Sequence, residues 1–181
     1  MAKSLSKRIL DTNVPKIANL HVKINDIPLD KLECVLACVE QVQSILSRQQ
    51  SLVLDEDGEI FEEYRNQLSL SGQDGVGDAF MKWVHDNQWS FPKEDRVKIT
   101  KSTNGYLEFP NSENLNGFDR SDMKFVAVAN NHKNRPAISV ASDHKWWNFQ
   151  GALKAARIDV NFLCPNQIQK VSVRKTKSKK I

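Results

Sequence analysis

Five acidic side chains in this sequence have the chemistry to hold a divalent metal ion: Asp11, Glu63, Asp119, Asp122 and Asp143. Carboxylates from separate chain segments repel one another in a shared cleft unless cations or protons neutralise them. Hard ions such as Mg²⁺ and Mn²⁺ prefer oxygen ligands, and they stabilise the attacking and leaving oxygens when a phosphodiester is cleaved. If folding brings these acids together, the chemistry that they favour is metal-dependent phosphodiester hydrolysis.

Two of these acids stand where a predicted strand ends. The apolar pattern predicts a strand over 7–11 that closes on Asp11, and another strand over 137–142 that Asp143 follows. In open sheets of parallel strands, ligands bind outside the carboxyl ends of the strands, where loops from separate strands converge. Asp11 and Asp143 are therefore expected at the same edge of one sheet.

The other three acids are predicted on helices. Apolar residues at helical spacing predict a helix over 119–130 with Asp119 and Asp122 in its first turn, and their i, i+3 spacing places both on one side of it. A helix predicted over 59–68 follows a further strand and has Glu63 about one turn from its start. The predicted site therefore combines acids from strand ends with acids from helix starts.

The remaining predicted elements alternate between strands and helices. Further strands are predicted over 51–55, 96–100 and 160–164, and further helices over 30–48, around 80–84 and over 146–157. Parallel strands need crossover connections, and helices in these connections cover both faces of the sheet. The predicted fold class is therefore α/β, as a three-layer α/β/α sandwich with a mainly parallel central sheet.

The charge of the chain divides between its ends and its body. The 181 residues include 26 Lys and Arg against 22 Asp and Glu, but 170–181 holds six basic residues and 1–8 holds three, with no acid in either segment. The body between them is therefore net acidic. A basic tail of this kind is either a solvated terminus or an electrostatic arm for phosphate backbones. The candidate nucleic-acid-binding residues of the tail are Arg174, Lys175, Lys177, Lys179 and Lys180.

Several classes of protein do not fit this sequence. No apolar run approaches the roughly 20 residues of a membrane helix, and the basic N-terminus lacks the apolar segment of a signal peptide, so a cytoplasmic location is expected. Cys34, Cys38 and Cys164 suit neither a disulfide framework nor a paired metal site, and we predict them in the core. The histidines lack zinc spacing, and the glycine-rich segment 72–77 lacks the Lys-Ser/Thr of a P-loop.

Four segments follow one another in an order that is typical of a known family. Ile9-Leu-Asp-Thr-Asn-Val14 is similar to a first strand that ends in Asp followed by Thr, and residues 118–129 resemble an acid-opened, alanine-rich helix. Residues 138–143 resemble a later strand with a trailing Asp, and 156–164 resemble a closing helix-to-strand passage. In this order, which spans most of 7–165, the segments resemble the PIN-domain ribonucleases.

This resemblance implies one PIN-like domain over 1–169, in which the region 70–117 is longer than a minimal PIN domain needs. It implies Mg²⁺- or Mn²⁺-dependent hydrolysis of RNA. Many bacterial members of the family are toxins of toxin–antitoxin pairs, often dimeric and inhibited by a small partner protein, so a homodimer and an antitoxin-like inhibitor are implied partners.

The resemblance also implies roles for individual residues. Thr12 or Asn13 would orient the first acid, and Asp119 would be an additional metal ligand. The residues that match the metal-binding acids of the family are Asp11, Glu63, Asp122 and Asp143.

Alternatives stay open at this point. Glu40, Glu59 and Glu62 compete with Glu63 for the role of second acid, and Asp119, Asp122 or Asp143 by itself also suits a helix cap. A catalytically silent PIN-like module that binds nucleic acid or a protein partner is a second interpretation of the whole chain. Another divalent-metal phosphohydrolase on a similar sheet, or a nuclease that prefers DNA to RNA, is a third.

Overall fold

A parallel sheet of four strands lies at the centre of the computed structural model, which describes residues 5–71 and 75–168. The strands are β1 (Ser6–Leu10), β2 (Gln50–Leu52), β3 (Leu54–Asp55), β4 (Arg96–Val97), β5 (Lys101–Ser102), β6 (Gly105–Tyr106), β7 (Ala137–Val140) and β8 (Val160–Phe162). The central sheet has the order β2-β1-β7-β8, and every neighbouring pair in it is parallel. The predicted α/β class with a parallel sheet is confirmed.

Helices surround this sheet. They are α1 (Asn13–Ala18), α2 (Leu29–Leu46), α3 (Glu59–Gln67), α4 (Val76–Asn87), α5 (Met123–Asn131), α6 (His144–Asn148) and α7 (Gln150–Ala155), with a 3-10 segment over Asn19–Asp26. The central strands β1 and β7 are apolar because helices cover the sheet, and Ile9, Leu10, Ile138 and Val140 are fully buried. No helix in the described part of the chain is long and apolar enough to cross a membrane.

The strand predicted over 51–55 is divided between two neighbours. Its first part, β2, pairs with β1, while β3 pairs with β4 in a separate two-stranded parallel sheet. Val53 lies between the two parts, and its N–H donates to the carbonyl of Arg8 (2.9 Å). The strand predicted over 96–100 is correspondingly reduced to the two residues of β4, because only these have a partner.

Two predicted helices also differ in their bounds. The helix predicted over 146–157 is interrupted at Phe149, which ends α6 and precedes α7, and its ring contacts the ring of Phe118 (5.4 Å between centroids). The helix predicted over 119–130 begins only at Met123. The residues before Met123 form turns, so the prediction that Asp119 and Asp122 lie in the first helical turn is wrong.

The cysteines lie in the core as predicted, but the prediction of unpaired residues is wrong for two of them. Cys34 and Cys164 form a disulfide that links α2 to the chain after β8, across a sequence separation of 130 residues, and Cys38 is free and buried. Sequence spacing gave no sign of the bond because its partners meet only through the fold. Disulfides persist in oxidising compartments, so the bond gives no support to the cytoplasmic location expected from the sequence.

Candidate active site

A cleft of about 390 Å³ lies at the carboxyl ends of β1 and β7. All five acids singled out from the sequence line it, together with both candidates for the orienting polar residue. The lining residues are Asp11, Thr12, Asn13, Lys16, Glu63, Gln67, Asp119, Ser121, Asp122, Asp143 and Lys145. The fold therefore brings together acids that are up to 132 positions apart in the sequence.

Asp11 is the most buried acid of the cleft, at 2% exposure. It follows β1 directly, and its backbone N–H donates to the carbonyl of Ser139 in β7 (2.9 Å), which fixes it between the two central strands. Among the described residues, its carboxylate accepts one hydrogen bond, from the N–H of Asn13 to Oδ2 (3.2 Å). Burial first, and then repulsion by Asp122 and Glu63, raise the pKa of Asp11 well above its usual value.

Asp122 is the residue that immediately precedes α5. Within the described ranges no group donates a hydrogen bond to its carboxylate, although this is the usual role of an acid at a helix start. Burial first, and then the charges of Asp119, Asp143 and Glu63, raise the pKa of Asp122 to about 7. Any cation that enters the cleft would therefore stabilise the ionised form of this carboxyl.

Asp119 has a different environment although it lines the same cleft. Its Oδ1 accepts hydrogen bonds from the N–H (3.0 Å) and hydroxyl (2.7 Å) of Ser121, which hold a turn ahead of α5. Its Oδ2 forms an ion pair with Nζ of Lys145 (2.6 Å). The bond from Lys145 first, and those from Ser121, lower the pKa of Asp119 to about 2. The charge of Asp119 is therefore already compensated.

Asp143 lies at the carboxyl end of β7 and is also the residue that caps α6. Its Oδ1 accepts a hydrogen bond from the backbone N–H of Lys145 (2.8 Å). The interpretation as a helix cap and the placement in the cleft therefore hold together for this residue. No ion pair to its carboxylate is found in the described part of the chain.

Glu63 projects into the cleft from α3 and has a partner for each carboxylate oxygen. The hydroxyl of Thr12 donates to Oε1 (2.6 Å), and the ammonium of Lys124 forms an ion pair with Oε2. Thr12 itself is 3% exposed. The polar residue after the first Asp therefore contacts Glu63, and the main-chain N–H of Asn13 contacts Asp11.

The three glutamates that competed with Glu63 lie elsewhere. Glu62 pairs with Arg65 on the surface of α3 (2.6 Å), and Glu59 pairs with Lys101 (2.6 Å). Glu40 is exposed on α2 and lines a different groove. The fold therefore places Glu63 in the cleft and not its competitors, which the sequence left undecided.

Sequence reasoning missed Lys124. It is 8% exposed, and its ammonium donates to the carbonyl of Ser121 as well as pairing with Glu63. A signal was present, because Lys124 is a charged residue in the otherwise apolar first turns of the helix that begins at Met123. Charged residues are rarely buried unless they are paired, so this position pointed to an acid nearby.

Asp78, which follows the glycine-rich segment 72–77, does not line the cleft. Its carboxylate accepts hydrogen bonds from the N–H of Ser69 (2.8 Å) and the side-chain amide of Asn19 (2.9 Å). Part of that segment, 72–74, and the basic tail with Arg174, Lys175, Lys177, Lys179 and Lys180 lie outside the described residues.

The donor atoms of the cleft suit a hard cation, but they are not drawn together. In the described part of the chain, the only group of three or more His, Cys, Asp or Glu whose ligand atoms lie within 4.8 Å of one another is Cys34, Cys38 and Cys164. Two of these cysteines are joined in the disulfide and offer no thiolate. The carboxylates of the cleft are farther apart, as mutual repulsion favours, and they would have to move closer to share one ion.

Comparison with known proteins gives no further assignment: no family model, no curated protein and no solved structure matches this chain.

Proposed function

We propose that the protein is a Mg²⁺- or Mn²⁺-dependent endoribonuclease with a PIN-like, three-layer α/β/α fold. The observation that supports this function best is the meeting of Asp11, Asp122 and Asp143 in one cleft, where none of the three carboxylates forms an ion pair with another described residue. The order of the sequence segments that resemble PIN-domain ribonucleases, which contain these same acids, is a second reason.

The charges of the cleft favour a metal ion. Glu63 and Asp119 form ion pairs with lysines, whereas the three central acids, Asp11, Asp122 and Asp143, form none in the described ranges. Burial and mutual repulsion oppose ionisation of Asp11 and Asp122. A divalent cation relieves this repulsion and is bound most readily by carboxylate oxygens. Asp11, Asp122 and Asp143 would hold the main ion, and Glu63 and Asp119 would complete the site from its edge.

Each part of the cleft then has a chemical task. When bound, the ion supplies the positive charge that polarises a phosphodiester and stabilises the negative charge that develops on its oxygens. Thr12 orients Glu63 at the edge of the three acids, where a carboxylate could accept a proton. Lys16 is exposed at the rim, with Nζ on the side-chain oxygen of Gln67 (2.9 Å), and a lysine there suits a neighbouring backbone phosphate.

The proposal is tested with full-length protein, a fluorescently labelled single-stranded RNA and Mn²⁺. Cleavage should require Mn²⁺ and should be lost on Asp11→Asn or Asp143→Asn. Asp86→Asn is the matched control, because Asp86 is an exposed acid of α4 that pairs with Lys82 away from the cleft. The proposal fails if wild-type protein shows no Mn²⁺-dependent cleavage that Asp11→Asn abolishes.

Two further substrates distinguish related activities in the same assay. Cleavage of single-stranded DNA in place of RNA would correct the substrate but not the site. Hydrolysis of a small phosphomonoester, with no cleavage of either polymer, would indicate a phosphohydrolase. Mn²⁺ binding without any hydrolysis would instead support the catalytically silent module.

A further inference from the structure

Lys124 is a lysine whose ammonium has been withdrawn from water. The residue is 8% exposed and lies in the first turn of α5, two positions after Asp122. Its ammonium lies over the ring of Phe125, with Nζ 5.3 Å from the ring centroid. Burying an ammonium costs several kcal/mol unless nearby groups compensate it. The compensation comes from the carbonyl of Ser121 and the carboxylate of Glu63.

The contact with Lys124 distinguishes Glu63 from Asp11 and Asp122. Both oxygens of Glu63 have donors, Thr12 on one and Lys124 on the other. Asp11 and Asp122 have no ion pair within the described ranges. The buried positive charge therefore stands at one edge of a group of carboxylates and is fixed there by the helix.

The second lysine that pairs with an acid of the cleft is placed differently. Lys145 pairs with Asp119, but 58% of its side chain is exposed, so solvent screens that pair and the Lys145 side chain is free to rotate away. The Lys124 side chain is 10% exposed and its partner Glu63 25%. Lys124 is thus the better candidate for a permanent charge in the site.

We propose that Lys124 is a positioning residue that acts as a built-in cation of the carboxylate cluster. It holds Glu63 at the edge of the site, and its charge limits how strongly the remaining acids attract a divalent ion. This inference rests on the proposed function, because it assigns Lys124 a role in the same metal-dependent site.

A lysine that only supported the fold would not set Mn²⁺ affinity, so this affinity distinguishes the proposed role of Lys124 from a purely structural one. Lys124→Met removes one positive charge and frees Glu63, so Mn²⁺ should bind about 3- to 10-fold more tightly. Catalysis should nevertheless fall, by about 10- to 100-fold in kcat with little change in KM, because Glu63 loses its fixed orientation. Lys124→Arg retains the charge and should keep Mn²⁺ affinity near that of wild type.

A double-mutant cycle with Glu63 provides the decisive measurement. Glu63→Gln alone leaves the lysine charge without its partner and should weaken Mn²⁺ binding. The double variant Glu63→Gln/Lys124→Met has the same net charge as wild type and should return affinity to near the wild-type value. It also leaves no unpaired charge buried, so it keeps the test available if Lys124→Met alone does not fold.

Lys82→Met is the control for net charge. Lys82 pairs with Asp86 on the exposed face of α4, and its loss removes one positive charge outside the cleft. Calorimetric titration with Mn²⁺ and steady-state cleavage of the labelled RNA are measured on all variants. Thermal melts without metal confirm that each variant is folded.

The outcomes separate the two proposals. Opposite shifts in Mn²⁺ affinity for the two single variants, restored in the double variant, support the role of Lys124. If wild type binds Mn²⁺ and cleaves RNA but Lys124→Met binds no more tightly than Lys82→Met, and the double variant stays as weak as Glu63→Gln, only the role of Lys124 is overturned. If wild type neither binds Mn²⁺ nor cleaves RNA, the proposed function fails and this role fails with it.

Discussion

The two ends of β1 each hold a buried carboxylate, yet their surroundings differ. At the amino end, Asp95 is 2% exposed and forms an ion pair with the ammonium of Lys7, while Nε2 of His132 lies 3.6 Å from the same carboxylate. At the carboxyl end, Asp11 is equally buried but has neither a lysine nor a histidine beside it in the described part of the chain. The same strand therefore separates a compensated acid from an uncompensated one.

The histidine at the amino end also fits a structural role. Burial first, and then the charge of Lys7, lower the pKa of His132, so its imidazole is neutral at physiological pH. Its Nδ1 accepts a hydrogen bond from the N–H of Asn134 (2.9 Å). Charge compensation for Asp95 therefore comes from Lys7. Burial of a carboxylate does not by itself indicate a binding site, whereas a cluster that contains more acids than cations does.

The largest expected difference between the two ends is in catalysis. Asp11→Asn should reduce Mn²⁺-dependent RNA cleavage by about 10²-fold or more, because a central carboxylate of the cluster is removed. Asp95→Asn should change kcat by less than about twofold at a temperature where the variant is folded. Single-turnover cleavage assays on both variants check this. Equal losses of activity would show that the two ends of β1 do not differ in their importance for catalysis.

The next effect is on stability, where the variant at the amino end of β1 should be the damaging one. Lys7→Met leaves Asp95 buried without its ion pair and should lower the free energy of unfolding by about 3–5 kcal/mol. Asp11→Asn should stabilise the metal-free protein, because it removes a carboxyl whose ionisation is opposed by burial and by the neighbouring acids. Urea unfolding in EDTA gives both values, and a Lys7→Met variant as stable as wild type would contradict the structural role of that pair.

A smaller effect is expected in the way the thermal stability of the metal-free protein depends on pH. The pKa of Asp122 is raised to about 7 in the folded state, so its protonated form stabilises the fold at low pH. That contribution is lost as pH rises through about 7, where the carboxylate ionises among its acidic neighbours. In EDTA, wild type should therefore lose more melting temperature between pH 5 and pH 8 than Asp122→Asn does. Parallel curves for the two proteins would argue against a coupled cluster.

The smallest effect concerns the basic tail, which belongs to neither end of β1. Deleting 170–181 removes six basic residues and should weaken RNA binding while leaving Mn²⁺ affinity unchanged. For single strands, the slope of log K against log salt is negative, and each lost phosphate contact makes it less steep by about 0.7. Binding titrations at several salt concentrations measure that slope. An unchanged slope would show that the tail is solvated and that RNA contacts lie in the cleft.

The local features of this protein follow from the order of its residues. Apolar blocks such as Ile9-Leu10 predicted the buried strands, and the acids after them were correctly expected at one edge of a parallel sheet. The long helix predicted over 30–48 is α2, within two residues at each end. Such features depend on periodicity and on neighbours along the chain, so the sequence holds the information directly.

The differences in pKa and charge compensation among the acids arise from the folded structure. Asp119 and Asp122 are three residues apart, yet Lys145 lowers the pKa of one to about 2, while burial and like charges raise the other to about 7. The selection of Glu63 over its neighbours and the burial of Lys124 against it depend on contacts between α3 and α5. Charge, burial and bonding are set by groups that meet through the fold from distant positions, and the spacing of residues along the chain does not determine those meetings.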